Sequence, residues 1–199
     1  NLANKMGEAV AKEAKENNIG IWLAPALNIH RNPLCGRNFE YYSEDPLLAG
    51  LIGAAMVKGV QSNGVAACPK HFACNNKETN RKHSDSRVSE RAIREIYLKA
   101  FEIIVKTADP WVMMSAYNAV NGHRASENHE LLEDIRSMFR ERILARLGLH
   151  SLHRRKPSPC ILPAICVVLP PGAAHRSQIF SPGFGSSSAT ADIALASCK

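Results

Sequence analysis

The chain has 199 residues, 45% of them apolar and 22% charged, a composition that excludes a protein disordered throughout. Its net charge of +7 is uneven, because residues 137–199 hold 8 of the 25 Lys and Arg but only 2 of the 18 Asp and Glu. Residues 1–136 are therefore nearly neutral, and we expect neither a nucleic-acid partner nor a membrane.

Apolar residues recur at helical spacing in four segments, and continuous apolar runs typical of buried strands separate them. The predicted helices cover residues 2–14, 46–60, 89–104 and 131–147, and Asp45 and Ser89 are expected as N-caps. The predicted strands cover 21–27, 65–69 and 111–115, so each strand-plus-helix unit takes about 45 residues. This alternation predicts an α/β fold in which helices cover a parallel sheet.

A long polar loop follows each predicted strand, over residues 30–43, 71–86 and 117–128. Lys70 and His71 stand where the second of these strands ends. Because α/β enzymes place their chemistry beyond the carboxyl ends of parallel strands, we expect a polar pocket there.

The six cysteines predict neither a disulfide framework nor a metal site. Cys68 and Cys74 are six positions apart, as are Cys160 and Cys166, whereas zinc sites pair cysteines two to four residues apart. We expect no metal and no cofactor. The first residues form no charged-then-apolar leader, so no signal peptide is predicted, and the compartment is left unassigned.

Two stretches of the loops carry a family resemblance, GRNFEYYSEDP at residues 36–46 and KHFACNNKETNR at residues 70–81. They resemble the N-terminal barrel domain of the family-three glycoside hydrolases, in the β-glucosidase branch, over residues 2–135. The resemblance implies an incomplete TIM (β/α)8 barrel of about three β/α units within residues 1–136, since a whole barrel takes about 250 residues. The implied reaction is hydrolysis, with retention, of terminal non-reducing β-D-glucosyl residues from a β-glucoside or oligosaccharide.

The same resemblance implies a sugar-binding clamp. Arg37, Lys70 and His71 match family positions that hold hydroxyls of the glucosyl ring, and Tyr117 looks like the family tyrosine near the nucleophile. Family members take the nucleophilic Asp from a Ser-Asp-Trp strand, which this sequence does not contain, and usually take the acid/base residue from a second domain. We therefore expect this chain to lack the nucleophile Asp and the acid/base Glu. We also expect the second domain of the parent enzyme to be absent.

Structural interpretations compete with these roles. Arg37 has Glu40 and Glu44 nearby as partners for a salt bridge that orders the loop. Lys70 is equally explained as a solvated residue at a strand end, His71 as a hydrogen-bonded structural histidine, and Tyr117 as packing.

Three further acids are interpreted as structural. Glu90 fits the first turn of a helix, where a carboxylate meets the positive end of the helix dipole, and Asp85 lies just before it. Glu78 is interpreted in the same way. His83 with Asp85 resembles the loop pair of the family's β-N-acetylhexosaminidase branch, although the surrounding stretch follows the β-glucosidase branch.

The regular pattern ends near residue 136. Residues 137–142 can extend the fourth helix, but residues 150–199 contain six prolines and three consecutive serines, which predicts an irregular tail of unrelated or out-of-frame character. The alternatives to a β-glucosidase fragment are a catalytically inactive, truncated or frame-shifted product, a β-xylosidase, or a β-N-acetylhexosaminidase relative.

Overall fold

The computed structural model describes residues 2–134, Ser137 and the backbone of residues 164–166. In this part of the chain the helices are α1 (Leu2–Glu16), α2 (Pro46–Gln61), α3 (Glu90–Ala92), α4 (Lys99–Ala108) and α5 (129–134). The strands are β1 (Ile21–Trp22), β2 (Ala66–Ala67), β3 (Asp85–Ser86), β4 (Val112–Met114), β5 (Ala119–Val120), β6 (His123–Arg124) and β7 (Ala164–Cys166). The predicted α/β class is confirmed.

The three predicted strands lie side by side and parallel in the order β1-β2-β4. Ile21 pairs with Ala66, and the Met114 N–H donates to the Pro69 carbonyl at 3.0 Å. Hydrogen bonding continues beyond the strand limits, since the Leu27 N–H donates to the Lys70 carbonyl at 2.7 Å. The carboxyl ends of these strands therefore open on one edge, where parallel sheets bind ligands.

A fourth parallel strand, β7, pairs with β4, in a register that joins Val112 to Ala164 and Met114 to Cys166. This strand differs from the irregular tail expected from the sequence. Three residues are too few to show a period, and Pro163 directly before them argued against regular structure. The free edge of β4 supplies the N–H and C=O groups that the segment pairs with. The predicted helix beyond residue 134, apart from Ser137, and the rest of the tail lie outside the described residues.

Two of the predicted loops contain a small sheet that the sequence analysis missed. In it β3 pairs parallel with β5, and β5 pairs antiparallel with β6. Asn121 and Gly122 both have positive φ between β5 and β6, as a tight hairpin turn requires, and Asn-Gly is the strongest short signal for such a turn. The sheet joins the loop after β2 to the loop after β4, and so brings two parts of the candidate site together.

Helix α2 packs between α1 and α4, and its glycines allow the close approach. A Cβ added at Gly59 would lie 2.1 Å from the Asn4 carbonyl oxygen of α1, and one at Gly53 would lie 2.7 Å from side chains of Ile104 and Leu27. Phe72, just after β2, meets Phe101 of α4 edge-to-face with ring centroids 5.1 Å apart. The helices are thereby fixed against the back of the sheet, and the carboxyl edge of the strands stays open.

None of the helices in the described part of the chain has the length and apolar character needed to cross a bilayer.

Candidate functional site

The four predicted site residues all follow strands at the open edge of the parallel sheet. Lys70 and His71 lie three and four residues beyond the end of β2, and Tyr117 follows β4. Arg37 precedes a 3-10 turn at Asn38–Glu40 in the loop after β1. One carboxylate joins Arg37 to Lys70, and a second carboxylate links Arg37 to Arg81, which contacts the Tyr117 ring.

Glu40 connects the two predicted cations. Its Oε2 lies 3.0 Å from the Lys70 Nζ, and its Oε1 pairs with the Arg37 guanidinium. The side chains are 14–19% exposed, so the ion pairs are partly shielded from water. The salt bridge between Arg37 and Glu40 that the structural interpretation expects is therefore present, and the same carboxylate places both cations at one point of the edge.

Glu78 links Arg37 to Arg81, which contacts Tyr117. Its Oε2 accepts from the Arg81 Nη1 at 2.8 Å, and its Oε1 lies 3.9 Å from the Arg37 Nη1. The Arg81 guanidinium in turn lies 5.2 Å from the centroid of the Tyr117 ring, within the range of a cation–π contact. Tyr117 is half-buried, and its ring contacts the Arg81 guanidinium.

His71 is buried, and Asn28 fixes the orientation of its ring. The Asn28 Oδ1 accepts from the His71 backbone N–H at 2.9 Å, while the Asn28 Nδ2 donates to the His71 carbonyl at 2.9 Å. The same Oδ1 lies 3.2 Å from the ring Nδ1, so Nδ1 carries the proton in the neutral ring. The other ring nitrogen, Nε2, is thereby left as a hydrogen-bond acceptor.

The charge state of His71 follows from its surroundings. Burial, together with the positive charges of Arg37, Lys70 and Arg81, lowers the pKa of His71 from 6.5 to about 3. The imidazole is therefore neutral at physiological pH. A neutral ring is able to accept a hydrogen bond, which an imidazolium is not.

A second layer of hydrogen bonds holds the loop that carries Arg37 and Glu40. The His30 Nε2 lies 3.0 Å from the carbonyl oxygens of both Asn38 and Tyr41, and both of these are acceptors, so Nε2 donates. The buried Tyr41 hydroxyl donates to the Asn75 carbonyl at 3.0 Å, and burial raises the pKa of Tyr41 well above its usual range. The turn is thus anchored to the segment after β2, and Glu40 has a fixed position.

A model of the glycosyl hydrolase family 3 N-terminal domain matches residues 1–139. The chain belongs to glycosyl hydrolase family 3. It is 66% identical over 134 residues to β-glucosidase A of Butyrivibrio fibrisolvens, an alignment that covers 67% of this chain and 16% of the relative. It is 53% identical to an exo-α-(1→6)-L-arabinopyranosidase of Bifidobacterium longum, with 67% and 18% covered.

Solved structures of the family agree with the fold. The β-glucosidase 3B of Thermotoga neapolitana in complex with α-D-glucose matches with a TM-score of 0.68 and 56% identity, covering 69% of this chain and 20% of that one. The β-glucosidase of Kluyveromyces marxianus in complex with glucose matches with a TM-score of 0.66 and 49% identity, covering 67% and 16%. This family 3 chain thus spans less than a quarter of the length of these relatives.

Sequence reasoning missed Arg81, the function of Asn28 and the bridging role of Glu40 and Glu78. Glu78 was interpreted as structural, and Glu40 only as a loop partner of Arg37. The signal for Arg81 was available, because it is the last residue of the stretch KHFACNNKETNR that carries the resemblance. Asn28 gave no local signal, since its contact with His71 joins residues 43 positions apart.

The other acids take structural roles. Asp85 Oδ1 accepts from the Gly122 N–H at 3.0 Å, and its Oδ2 pairs with Arg87 at 2.7 Å. Glu90 lies in the first turn of α3, as the sequence predicted, and it also pairs with Arg94. His83 is exposed. In the described part of the chain, no group of three or more His, Cys, Asp or Glu side chains is arranged to hold a metal ion.

Proposed function

We propose that this chain carries part of the N-terminal barrel of a retaining β-glycosidase that acts on terminal non-reducing β-D-glucosyl residues. The observation that carries the proposal is the meeting of Arg37, Lys70 and a neutral His71 at the edge where the parallel strands end. The 66% identity to a β-glucosidase supports the sugar class. The proposal extends the family assignment, because the chain covers only part of its relatives.

Each residue of the proposed clamp has a distinct hydrogen-bonding role. Arg37 and Lys70 are donors only, and they donate to the oxygens of sugar hydroxyls. His71 accepts through Nε2, because its Nδ1 proton is directed at Asn28. Tyr117 holds the Arg81 guanidinium, and its own hydroxyl is proposed to lie near the reacting end of the sugar.

Bond cleavage is proposed to need groups beyond this chain. A retaining glycosidase uses two carboxyl groups about 5 Å apart, one as nucleophile and one as acid/base. Glu40 and Glu78 are both engaged by cations, which suits a binding role rather than attack on a sugar. We propose that residues 1–136 contribute about three β/α units of an incomplete barrel. The tail beyond them is proposed to be of unrelated or out-of-frame character, apart from residues 137–139, which the family model matches, and β7, which pairs with β4.

A second candidate is an exo-α-L-arabinopyranosidase. The 53% identity to the Bifidobacterium longum enzyme favours it, and arabinopyranose presents the ring hydroxyls that such a clamp binds. The two sugars differ at the exocyclic CH2OH, which glucose has and arabinopyranose lacks, and in the configuration of the C4 hydroxyl. The ratio of kcat/KM for a β-D-glucoside to kcat/KM for an α-L-arabinopyranoside, measured in a chimeric enzyme that contains residues 2–134, separates the two candidates.

The clamp is tested in a chimera in which residues 2–134 replace the matching segment of β-glucosidase A from Butyrivibrio fibrisolvens. Lys70→Ala or His71→Ala should lower kcat/KM for a β-D-glucoside by roughly two to four orders of magnitude, because these hydrogen bonds strengthen as the ring flattens in the transition state. The matched controls are Lys77→Ala and His83→Ala, which remove exposed residues of the same types from the same loop.

The chimera experiment can also show that the clamp residues are only structural, which would contradict the proposal. Losses below about threefold at both Lys70 and His71 would have that meaning, since a direct hydrogen bond to the reacting sugar is worth more than this. An inactive parent chimera that is folded by circular dichroism would show that residues 2–134 do not supply a working barrel segment.

A further inference from the structure

The site contains an alternating chain of charges, which we call the charged cluster and which consists of Lys70, Glu40, Arg37, Glu78 and Arg81. Three cations thus alternate with two carboxylates. Four of the side chains are 14–20% exposed, and Arg81 is 36% exposed. Because His71 is neutral, the cluster has only one positive charge in excess.

Both carboxylates use both of their oxygens. Glu40 places Oε1 on Arg37 and Oε2 on Lys70, while Glu78 places Oε2 on Arg81 and Oε1 near Arg37. The Glu78 Oε1 also accepts from the Asn75 Nδ2 at 3.0 Å. Each cation therefore already has an anionic partner within the protein.

Glu40 lies in a turn that backbone hydrogen bonds hold in place. Its N–H donates to the Arg37 carbonyl at 3.2 Å, and the next residue, Tyr41, pairs with Ala26 beside β1. His30 holds the same turn by its ring nitrogen. An anionic ligand that displaces this carboxylate therefore has to break its ion pairs with Arg37 and Lys70.

We infer that Glu40 and Glu78 are specificity-determining residues that make the clamp select neutral sugars over sugars that carry a carboxylate. Three clustered cations without these partners would bind a uronic acid strongly, because charge-assisted pairs are the strongest hydrogen bonds that Arg and Lys make. With the partners in place, a sugar carboxylate has to compete with Glu40 for Lys70 and Arg37. A neutral hydroxyl is a weaker acceptor, which shares the remaining N–H donors without displacing Glu40 or Glu78.

This inference rests on the proposed function, since it assumes that the clamp binds sugar. Glu40 and Glu78 would select the substrate without forming the binding surface. A purely structural role of the ion pairs predicts a different outcome, in which loss of a carboxylate weakens folding and all sugar binding together.

The test measures the binding of two ligands to the full 199-residue chain by ligand-observed NMR titration at pH 7 and low salt. The ligands are methyl β-D-glucopyranoside and methyl β-D-glucuronide, which differ only in the group at C6. The variants are Glu40→Gln and, as the matched control, Glu44→Gln, which makes the same change of net charge at an exposed position of the same loop. Circular dichroism records the folding of each protein.

The wild-type chain is expected to bind the glucoside more tightly than the glucuronide. In Glu40→Gln the ratio of the two dissociation constants should shift by about tenfold toward the glucuronide, the effect of freeing one charge-assisted donor. Glu44→Gln should shift it by less than about twofold, because exposed charges are screened. If Glu40→Gln does not fold, the same ratio of dissociation constants is measured in Glu78→Gln.

Three outcomes overturn the inference. An unchanged ratio in a folded Glu40→Gln would mean that the carboxylate is only structural. Equal shifts in Glu40→Gln and Glu44→Gln would reveal a general effect of net charge. Binding of neither ligand by the wild-type chain would refute the sugar clamp itself, and this result is distinguished from the other two because it appears before any substitution.

Discussion

Acid is expected to destabilise the fold through one buried imidazole. Burial, with the charges of Arg37, Lys70 and Arg81, lowers the pKa of His71 from 6.5 to about 3 in the folded chain. Between these two values the unfolded chain binds a proton that the folded chain excludes. Stability is therefore fully present above pH 6.5 and falls as the pH decreases through the window toward 3.

The size of the effect follows from the width of the window. Each pH unit within it changes the free energy of unfolding by about 1.4 kcal/mol, the value of one pKa unit. Lowering the pH from 6.5 to 5 should therefore remove about 2 kcal/mol. A small domain has about 5–15 kcal/mol in total, so the loss is readily measured.

Urea unfolding between pH 5 and pH 8, followed by the fluorescence of Trp22 and Trp111, measures the effect in the 199-residue chain. His71→Gln cannot bind the proton, so the stability difference between wild type and this variant should decrease by about 2 kcal/mol from pH 6.5 to pH 5. Carboxylate titrations occur in both proteins and largely cancel. His83→Gln, which removes an exposed imidazole, should keep the acid loss.

A difference between wild type and His71→Gln that stays constant within about 0.5 kcal/mol over this range would refute the reasoning. It would mean that the ring is hydrated, or that it is protonated and paired in the folded state. The second of these results would also remove the proposed role of Nε2 as an acceptor for a sugar hydroxyl.

Three further predictions concern activity and packing. The purified 199-residue chain should not hydrolyse aryl β-D-glucosides, because it lacks a Ser-Asp-Trp nucleophile strand; turnover stopped by a mechanism-based glucosidase inhibitor would contradict this. Gly59→Ala should destabilise the fold by about 1–3 kcal/mol in urea, despite the better helix propensity of Ala, because the new Cβ would lie 2.1 Å from the Asn4 carbonyl oxygen. Gly20→Ala, with no atom within 4 Å of the new Cβ, is its control, and equal losses would refute the packing argument. Tyr41→Phe should cost about 1–2 kcal/mol, since its hydroxyl contacts Asn75 twice, and an unchanged urea midpoint would show those bonds to be unimportant.

The helices were the part of the fold most open to prediction. Apolar spacing placed α1 and α2 close to their observed limits, and Asp45 caps α2 by accepting from the backbone of Leu47 at 2.7 Å. The third predicted helix differs, because a π-helical turn at Ile93–Tyr97 divides it into α3 and α4. A side-chain pattern does not reveal such a turn, since the apolar face is preserved across it.

The site was predictable where the chemistry follows a strand directly, and not where it depends on contacts between loops. Lys70 and His71 were placed by the end of the apolar run before them. The contacts of Glu78 with Arg37 and of Asn28 with His71 join residues about 40 positions apart, and they depend on the parallel register of β1 and β2. No local periodicity encodes that register, although the Asn-Gly turn at Asn121 was a local signal for the hairpin beside the site.

The structural and functional interpretations of the Arg37–Glu40 contact are not alternatives. A cation that binds sugar hydroxyls must be held in one place before the sugar arrives, because ordering a free Arg or Lys side chain would consume much of the binding free energy. Glu40 supplies that order from a turn fixed by backbone hydrogen bonds, and it reduces the positive charge at the same time. A site for a neutral polyol needs both properties, namely donors at fixed positions and little net charge to attract anions. In the proposed function, the ion pairs that stabilise the loop are therefore the same contacts that prepare the clamp for a neutral sugar.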